Sequence, residues 1–582
     1  MASLYPKKVN GKTYWYLREM ARVDGKPKMV SERYLGTAAD IAAAVEATGT
    51  ASAPERTRHL AFGDVAAVWA TMGRLDVVGI IDEVTGGGRI AGAGASIGTY
   101  LGLAALNRVV APCSKLGYAT WWKSTAGDRF TKISASVLDH RRFWDAMHHI
   151  TATELAEIDK RLAAAMIEVF DLDTCALALD MTNFATYIDS ANTKAPIAQR
   201  GKAKQKRTDL RLVGLGLVLT RDGGIPLVSH AYAGDRPDVT QFTTVIDKLT
   251  ADYQALLDHS SSTPHHDQGD DQGDERGQGE VTVVFDAGQN SHANFAHLGA
   301  TGLGYIGSVP PSDQPALLAL PATARTPVDA ERFPGLSAVE TRREIYGAER
   351  RVVLTHSPNL HTKQARGLDQ TLTKAGARLT ELAATLARGK TRRPRAKVET
   401  EITSICADTW ARRLIVWELS GDTPARHRLS WHIDADARTE LETEIFGKRI
   451  LITNRDKWSL AEVVAGYRSQ SEAEFGFRQL KDPHVVSFSP MHHWTDHHIR
   501  VHVFTCVLAL QIAHLMRREA DQAGIHLSVR ELLTALAGIE ETVLIYPSTG
   551  GRPKARRMLT ETDAQQNDLI EIFDLHRLAP RT

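Results

Sequence analysis

The feature that most constrains the fold of this chain is a series of short apolar runs between Thr174 and Gly307, with one long helical stretch among them. The helical stretch is Val239–Leu257. The five strand-like runs are Cys175–Leu179, Leu212–Leu219, Leu227–Tyr232, Val281–Phe285 and Gly304–Ile306. The order of the elements, β-β-β-α-β-α-β, predicts an α/β domain in this part of the chain.

The rest of the chain is organised around that domain. A chain of 582 residues exceeds what one hydrophobic core usually organises, so several structural units are expected. The element order is the one expected of a ribonuclease-H-like α/β core, although mixed α/β sheets are common. The predicted division is a small β module (1–60), a helical region (61–165), an α/β core in two parts (166–309 and 455–525), a β-rich insertion subdomain between them (310–454) and a C-terminal helical region (526–582).

The charges of the chain are unevenly distributed. The formal net charge is +1, but His265–Glu280 holds six carboxylates against one arginine, so the remainder is more basic. Two short segments concentrate cations that would either neutralise phosphates or form a solvated surface loop. The first holds Arg200, Lys202, Lys204, Lys206, Arg207 and Arg211, and the second holds Arg388, Lys390, Arg392, Arg393, Arg395 and Lys397.

Cysteine usage and hydropathy predict a cytoplasmic protein. The cysteines are widely separated and lack CxxC spacing, which argues against a disulfide framework or a zinc ribbon: Cys113, Cys175, Cys406 and Cys506. The N-terminus has no apolar run for secretion. The best apolar segment, Val501–Met516, is interrupted by two histidines and is too short to span a bilayer, so we expect a buried helix there and no membrane partner.

Two aspartates follow apolar runs directly. Asp180 follows Cys175–Leu179 and Asp286 follows Val281–Phe285, so both are expected where a buried strand reaches the surface. A carboxylate at such a point is held by rigid structure and is open to a ligand, which suits a metal site. Each aspartate alone has a second explanation, because many buried strands end in an Asp that begins a turn.

A third carboxylate comes from a helix predicted over Ser459–Lys481. At about 100° per residue, one narrow polar stripe of this helix holds Tyr467, Gln470, Glu474, Arg478 and Lys481. Glu472 lies about 160° away from Glu474, so helix geometry selects Glu474 as the member of a shared site. The alternative is an ordinary solvated helix face.

These residues resemble the signature of DDE transposases of bacterial insertion sequences, in the superfamily with a large β-rich insertion before the final glutamate. That signature is a Tyr, an Arg, a Glu and a Lys at fixed spacings. Tyr467, Glu474 and Lys481 fit it, whereas Gln470 occupies the position of the Arg, so that Arg468 or Arg478 would have to supply the missing cation. The resemblance extends over nearly the whole chain, through Asp286–Ser291, Gly447–Asn454, Phe477–Lys481, His498–His502, Asn107–Arg108 and Pro112–Lys115.

The resemblance implies a DNA transposase that binds insertion-sequence ends and catalyses metal-dependent strand cleavage and strand transfer. Asp180, Asp286 and Glu474 would be the catalytic residues and the ligands of two Mg²⁺ or Mn²⁺ ions, because oxygen-only ligation favours these ions over zinc. In the two-metal mechanism, one ion activates the attacking water or 3′-hydroxyl and the other stabilises the leaving oxygen. The residues implied to contact DNA are Tyr467, Gln470, Arg478, Lys481, Arg200, Lys202, Lys204, Lys206 and Arg207.

The implied partners are the terminal inverted repeats and target DNA, held by a homodimer in the bacterial nucleoid, with the N-terminal β and helical regions binding DNA. Three other functions remain open: a catalytically inactive DNA-binding derivative, which the intact acidic triad argues against, a ribonuclease-H-like nuclease that cleaves without joining, and a structural scaffold.

Two further groups of residues each allow two interpretations. The first group would bind a metal or remain unmetallated on a helical or loop surface: His492, His493, His497 and His498. The second would stack a flipped base or pack in a core: Trp410, Trp417 and Trp431.

Overall fold

The computed structural model describes residues 2–23, 26–49, 53–87, 94–204, 207, 209–260, 281–390, 392–489, 491–547 and 554–581. The acidic tract His265–Glu280 and Lys206 therefore lie outside the described residues.

The N-terminal residues form a small antiparallel sheet of three strands, followed by a helix. Strand β1 (Ala2–Val9) pairs with β2 (Lys12–Val23), and β2 pairs with β3 (Lys26–Gly36). Asn10 and Gly11 connect the first two strands with φ angles of 51° and 81°, the left-handed values that favour Asn and Gly in two-residue hairpin turns. Helix α1 (Ala38–Gly49) follows.

The next region is helical, as its periodicity predicts. Its elements are β4 (Arg56–Ala61), α2 (Gly63–Arg74), α3 (Val77–Val84), α4 (Ile97–Val110), α5 (Lys115–Trp122), α6 (Gly127–Thr131), α7 (His140–His148) and α8 (Ala152–Phe170). Hydroxyl residues determine where several of these helices begin. Thr151, for example, accepts the N–H of Glu154 while the Glu154 side chain accepts the N–H of Thr151, a reciprocal cap that satisfies two otherwise unpaired donors.

The predicted element order β-β-β-α-β-α-β is confirmed. The elements are β5 (Ala176–Thr186), β6 (Arg211–Thr220), β7 (Pro226–Ala233), α9 (Asp238–Ser260), β8 (Thr282–Phe285), α10 (His292–Thr301) and β9 (Gly304–Val309). Strands β5, β8 and β9 are parallel, whereas β6 is antiparallel to both of its neighbours. The domain is therefore a mixed α/β structure, and β5 lies at the centre of its sheet.

The following segment contains both strands and helices. Its elements are α11 (Pro315–Leu318), β10 (Thr326–Pro327), β11 (Ser337–Ile345), β12 (Ala348–His356), α12 (Pro358–Ala387), α13 (Arg395–Ile405), α14 (Thr409–Leu414), β13 (Ile415–Ser420), β14 (Arg428–Ile433), α15 (Ala435–Ile445) and β15 (Lys448–Thr453). Residues 358–445, from α12 to α15, pack around a hydrophobic core of their own and are called the helical subdomain here.

The expectation that the whole of 310–454 stands apart from the sheet is wrong. Strand β15 pairs with β9, β12 pairs with β15 and β11 pairs with β12, so the sheet has nine strands in the order β10-β11-β12-β15-β9-β8-β5-β6-β7. The physical reason is that β12 and β15 carry consecutive apolar residues, which are buried only when the strands lie inside a sheet. Only the helical subdomain is left as an insertion, and its secondary structure is mostly helical.

The C-terminal part of the chain covers the sheet and closes the fold. Its elements are α16 (Leu460–Arg468), α17 (Gln470–Lys481), α18 (Asp496–Gln522), α19 (Val529–Ala537), β16 (Glu540–Ile545), β17 (Ala555–Leu559) and α20 (Ala564–Ile572). Strand β16 lies between β17 and β4 in a separate three-stranded sheet, so the chain's C-terminal region, expected to be helical, also contains strands.

Helix α18 joins the helical region to the α/β domain. It packs against α4 on one side and against β7 on another. Among the described residues it is the one helix with the length and hydropathy to cross a membrane, and 94% of its apolar window is buried inside the protein. Burying each large apolar side chain contributes about 1.5–3 kcal/mol, so α18 is the main element that holds the two parts together.

Candidate active site on the central strand

Two of the three predicted catalytic carboxylates lie on neighbouring parallel strands. In the register of β5 and β8, Leu179 is the partner of Phe285, and each of these residues directly precedes one of the two aspartates. Since adjacent strands are about 4.8 Å apart, Asp180 and Asp286 lie side by side at the C-terminal end of β8. Asp180 is not at a strand end as expected, because β5 continues to Thr186 while β8 ends at Phe285.

The carboxyl group of Asp180 is held in an unfavourable electrostatic environment. Its pKa is raised to about 6, first by burial and then by the negative charges of Asp286 and Glu474, whereas the Met181 N–H and Lys204 act in the opposite direction. The Met181 N–H donates to Asp180 Oδ1 over 2.7 Å. Both other predicted carboxylates are therefore within electrostatic reach of Asp180.

Asp286 also has the local role that its position suggested. Its Oδ1 accepts the N–H of Gly288 over 2.9 Å, which caps a short 3₁₀ helix at Ala287–Gln289. The turn and the ligand interpretations are compatible, because a carboxylate has a second oxygen and several lone pairs to offer.

Helix α17 carries its polar stripe across β5. Gln470 Nε2 donates to the carbonyl oxygen of Leu179 over 3.0 Å, and Lys481 Nζ donates to Thr182 Oγ1 over 2.7 Å. Glu474 lies one turn after Gln470 and therefore on the same face of the helix, beside Asp180. Phe477 lies seven residues after Gln470, on nearly the same side of the helix, and is buried in the main hydrophobic core, so the stripe runs along the border of the buried face.

Glu472 points away from this site. Its Oε2 pairs with the Arg517 guanidinium at 3.2 Å, next to Gly224 in the loop between β6 and β7. The contacts of the Glu472 side chain therefore agree with the expectation that Glu472 and Glu474 point in different directions from the helix.

The predicted single helix over Ser459–Lys481 is instead two helices. The chain leaves helical hydrogen bonding at Ser469, between α16 and α17. Tyr467 therefore belongs to α16, where it is 8% exposed in a core cluster and lies under the Arg449 guanidinium, 5.0 Å from its ring centre. Its ring packs against neighbouring elements in that core cluster.

Gln470 also has a different role from the one expected. It is 8% exposed, and its amide nitrogen is used by the bond to β5, so the side chain lies between helix and strand and has little surface for a DNA phosphate. Its Oε1 is buried and has no hydrogen-bond partner among the described residues. Arg478, by contrast, is exposed, with its guanidinium 5.7 Å from the Phe475 ring centre.

Two lysines approach Asp180 from different segments. Lys204 Nζ pairs with Asp238 Oδ2 at 2.8 Å and also donates to the carbonyl oxygen of Met181. Lys481 is half-buried, and its pKa is lowered by burial and by Lys204 but raised by Asp180. The site therefore contains cations next to its carboxylates, as a site for a phosphodiester requires.

The basic segment that precedes β6 lies next to β5, just beyond Asp180. Asn183 Nδ2 donates to the carbonyl oxygen of Lys202 over 2.9 Å, and Asn183 Oδ1 accepts the N–H of Lys204 over 3.1 Å. Arg200 and Lys202 are exposed. Arg207 is exposed too but makes a bidentate pair with Asp209, with distances of 2.9 and 2.8 Å.

Three residues of this site were not predicted from the sequence. Thr182 anchors Lys481, Asn183 anchors the basic segment and Asp238 pairs with Lys204. Thr182 was detectable in principle, because alternate residues of a strand share a face and Thr182 is two residues after Asp180. The sequence interpretation ended the strand at Leu179 and so lost that signal.

The donor set suits a hard divalent cation, although the carboxylates are not closed around one point. Among the described residues, no group of three or more His, Cys, Asp and Glu side chains is close enough to hold an ion as it stands. Asp180, Asp286 and Glu474 nevertheless offer only oxygen, and the pKa of Asp180 is raised first by burial and then by the charges of the other two carboxylates. Both properties fit Mg²⁺ or Mn²⁺ bound by carboxylates.

Of the four histidines near α18, His492 is exposed and the other three are partly buried: His493, His497 and His498. His497 Nε2 donates to the carbonyl oxygen of Met147 over 2.7 Å, and burial lowers the pKa of His493 to about 2. His498 also has a lowered pKa, first through burial and then through His497 and His148. A lowered pKa means that His493 and His498 stay neutral inside the fold at neutral pH.

Trp410, Trp417 and Trp431 contribute to the core of the helical subdomain. Trp410 packs 4.9 Å from Phe446 between ring centres, and Trp417 faces Trp431 across the β13–β14 pair. All three are partly buried against that core, which is the packing role considered from the sequence. None of the four cysteines, all of which lie among the described residues, forms a disulfide bond.

Comparisons with known proteins give distant structural similarity alone. No protein-family model matches the chain, and no curated protein matches it. A cryo-EM structure described as the piggyBac transposase synaptic complex with hairpin DNA is similar over 83% of this chain and 82% of that chain, with 8% sequence identity and a TM-score of 0.35. A similarity of that degree carries no argument about activity, so function has to be argued from the side chains of the site.

Proposed function

We propose that this chain is a DDE transposase, an enzyme that binds the ends of a DNA element, cleaves the strands there and joins them to target DNA with the help of divalent cations. The observation that carries the proposal is the placement of Asp180 beside Asp286 on neighbouring parallel strands, with α17, which bears Glu474, hydrogen-bonded to the residue before Asp180. The Asp180 carboxyl group interacts electrostatically with Asp286 and Glu474, which come from a neighbouring strand and from a helix almost 300 residues away along the chain.

The element order supports a ribonuclease-H-like catalytic core. Its central strand would carry the first carboxylate, the adjacent parallel strand would present the second, and α17 would present the third. Asp180, Asp286 and Glu474 would hold two Mg²⁺ or Mn²⁺ ions. These ions, when bound, activate the attacking oxygen and stabilise the leaving oxygen of a phosphodiester.

The protein's own cations would position the DNA. Lys204 and Lys481 lie beside Asp180, where they would neutralise the phosphate to be attacked. The exposed Arg200, Lys202 and Arg478 would hold the backbone on either side, which fixes the position of the DNA without reading its sequence. Gln470 would act indirectly, because its bond to Leu179 sets the distance between α17 and β5.

The test uses the purified protein and a supercoiled plasmid that carries the gene with its native flanking DNA, since the ends of the element should lie there. We expect cleavage at the boundaries of the element that depends on Mg²⁺ or Mn²⁺, followed by joining of the released 3′ ends to a second plasmid. Asp180→Asn should lose both reactions and retain DNA binding.

The same assay separates the alternatives. Cleavage without joining would identify a ribonuclease-H-like nuclease, and binding to the flanking DNA without cleavage would identify an inactive derivative. Absence of both binding and metal-dependent cleavage would refute the proposal.

A further inference from the structure

The tip of the helical subdomain, at the C-terminal end of a long helix, carries a basic cleft. Helix α12 begins at Pro358, two residues after β12 leaves the sheet, and runs for 30 residues to Ala387. At 1.5 Å per residue this helix is about 45 Å long, so its C-terminal end lies well away from the sheet. The chain reverses direction at Gly389, whose φ of +68° is in the left-handed region, and continues into α13.

The cleft at this tip is lined almost entirely by cations. It has a volume of about 560 Å³, and its lining consists of Thr385, Arg388, Lys390, Arg392, Arg393, Pro394 and Lys397. The absence of aromatic side chains from this lining argues against a site that stacks bases or binds an apolar ligand.

Most of these cations lack acidic partners. The carboxylates of α13 are used by two neighbouring arginines: Arg395 Nε pairs with Glu399 Oε1 at 2.8 Å, and Arg393 pairs with Glu401. Within the described residues, ion pairs are absent for four exposed side chains: Arg388, Lys390, Arg392 and Lys397. Four like charges around one cleft repel each other, so an anion with several charges would be held there favourably.

The cleft is built on a fixed framework. Leu386 at the end of α12 and Val398 at the start of α13 are fully buried in the subdomain core. Arg395 Nη2 donates to the carbonyl oxygen of Leu419 over 2.7 Å, which ties the turn to the β13–β14 pair. The ends of the two helices that bear these cations are therefore held by the core of the subdomain.

We propose that this basic cleft binds the phosphate backbone of duplex DNA at a position distant from the bond that is cut. The inference rests on the proposed function, since it assumes a DNA substrate long enough to reach the tip. A length of about 45 Å corresponds to roughly 13 base pairs at 3.4 Å each, so the contact lies beyond the DNA in the active site. Arginine, lysine and threonine contacts of this kind position a duplex without specifying its bases.

The test compares two variants that each remove four positive charges from the same subdomain. The first replaces Arg388, Lys390, Arg392 and Lys397 with Ala. The matched control replaces four exposed cations on the shaft of α12 with Ala: Lys363, Arg366, Lys374 and Arg378. Both sets are exposed, so neither variant should unfold, and circular dichroism with thermal melting verifies this.

Affinity for duplex DNA is measured against salt concentration for long duplexes and for duplexes shortened stepwise toward about 10 base pairs. For long duplexes we expect the tip variant to have a dependence of log K on log salt that is shallower by up to about 3.6, at about 0.9 per lost phosphate contact, while the control changes little. The difference between tip variant and wild type should vanish for the shortest duplexes.

Equal salt slopes for tip variant and wild type, an equal effect of the control variant, or a difference that persists on the shortest duplexes would each overturn the inference. These outcomes are distinguishable from failure of the proposed function, because they concern binding alone. A wild-type protein that cuts and joins DNA while the tip variant binds like wild type would refute only the distant contact.

Discussion

Replacing Glu474 with Gln should abolish DNA cleavage while leaving stability unchanged, whereas replacing Glu472 with Gln should leave cleavage nearly intact and lower stability slightly. The two substitutions are matched, because each removes one negative charge from α17 and they lie two residues apart. Glu474 faces Asp180, whereas Glu472 pairs with Arg517 on the other side of the helix. Activity and stability should therefore respond in opposite ways.

The magnitudes follow from the surroundings of each side chain. Two unit charges about 6–10 Å apart repel by roughly 0.4–3 kcal/mol for effective dielectric constants between 80 and 20, and screening of the exposed Glu474 reduces this to about 1 kcal/mol or less. Without metal, Glu474→Gln should therefore leave the free energy of unfolding unchanged or slightly higher. Glu472→Gln loses a partly exposed ion pair, which costs about 0.2–1 kcal/mol.

Divalent cations provide the second measurement. A ligand that binds only the folded protein stabilises it by RT ln(1 + [L]/Kd), or about 1.4 kcal/mol at ten times the Kd. We expect Mg²⁺ to stabilise the wild type and the Glu472→Gln variant by similar amounts, and the Glu474→Gln variant by less.

The assays are chemical denaturation with and without Mg²⁺ and cleavage of the gene's flanking DNA. Equal loss of cleavage in both variants would refute the assignment of the helix face. Full cleavage by the Glu474→Gln variant would remove Glu474 from the catalytic set.

Three further predictions concern other parts of the molecule. Arg478→Ala should weaken binding to different DNA sequences alike, because an exposed cation on the polar stripe loses one phosphate contact. The slope of log K against log salt should become shallower by about 0.9. An unchanged slope with only a lower melting temperature would identify a structural role. Stability should fall as pH falls below about 6.5, by up to about 1.4 kcal/mol per unit for each buried histidine such as His493 and His502, because burial lowers their pKa and only the unfolded chain then takes up the proton; the raised pKa of Asp180 acts in the opposite direction between about 4 and 6, so urea unfolding at pH 7.5 and 5.5 measures the balance. Leu379→Ala should destabilise the helical subdomain by about 2–5 kcal/mol, since Leu379 is 0% exposed at its core, and hydrogen exchange should accelerate there while the nine-stranded sheet stays protected.

The local pattern of the sequence determined the elements of the α/β domain. The runs around Leu212–Leu219 and Leu227–Tyr232 became β6 and β7 nearly within their expected bounds, because apolar runs of this length are stable mainly as buried strands. The same local reasoning selected Glu474 over Glu472, since the angular spacing of a helix is fixed by its backbone geometry.

The partners of each element were decided only by the tertiary structure. The residues of β12 and β15 are those of a buried strand and would fit any sheet. Whether these strands extend the central sheet depends on the free edge of β9, which lies about 140 residues before β15 in the chain. The break at Ser469 is likewise invisible to helical periodicity, because Ser469 keeps helical backbone angles and only the hydrogen bonding changes.

The environment of the charged groups also belongs to the tertiary structure. The sequence gives Asp180 a position on a buried strand, but its raised pKa depends on burial and on charges brought from Asp286 and Glu474. Gln470 lies on the polar stripe by sequence and yet is buried, because the carbonyl of Leu179 is within hydrogen-bonding distance once α17 packs on β5. Sequence patterns report which face of an element a residue occupies, whereas burial and charge depend on what lies opposite that face.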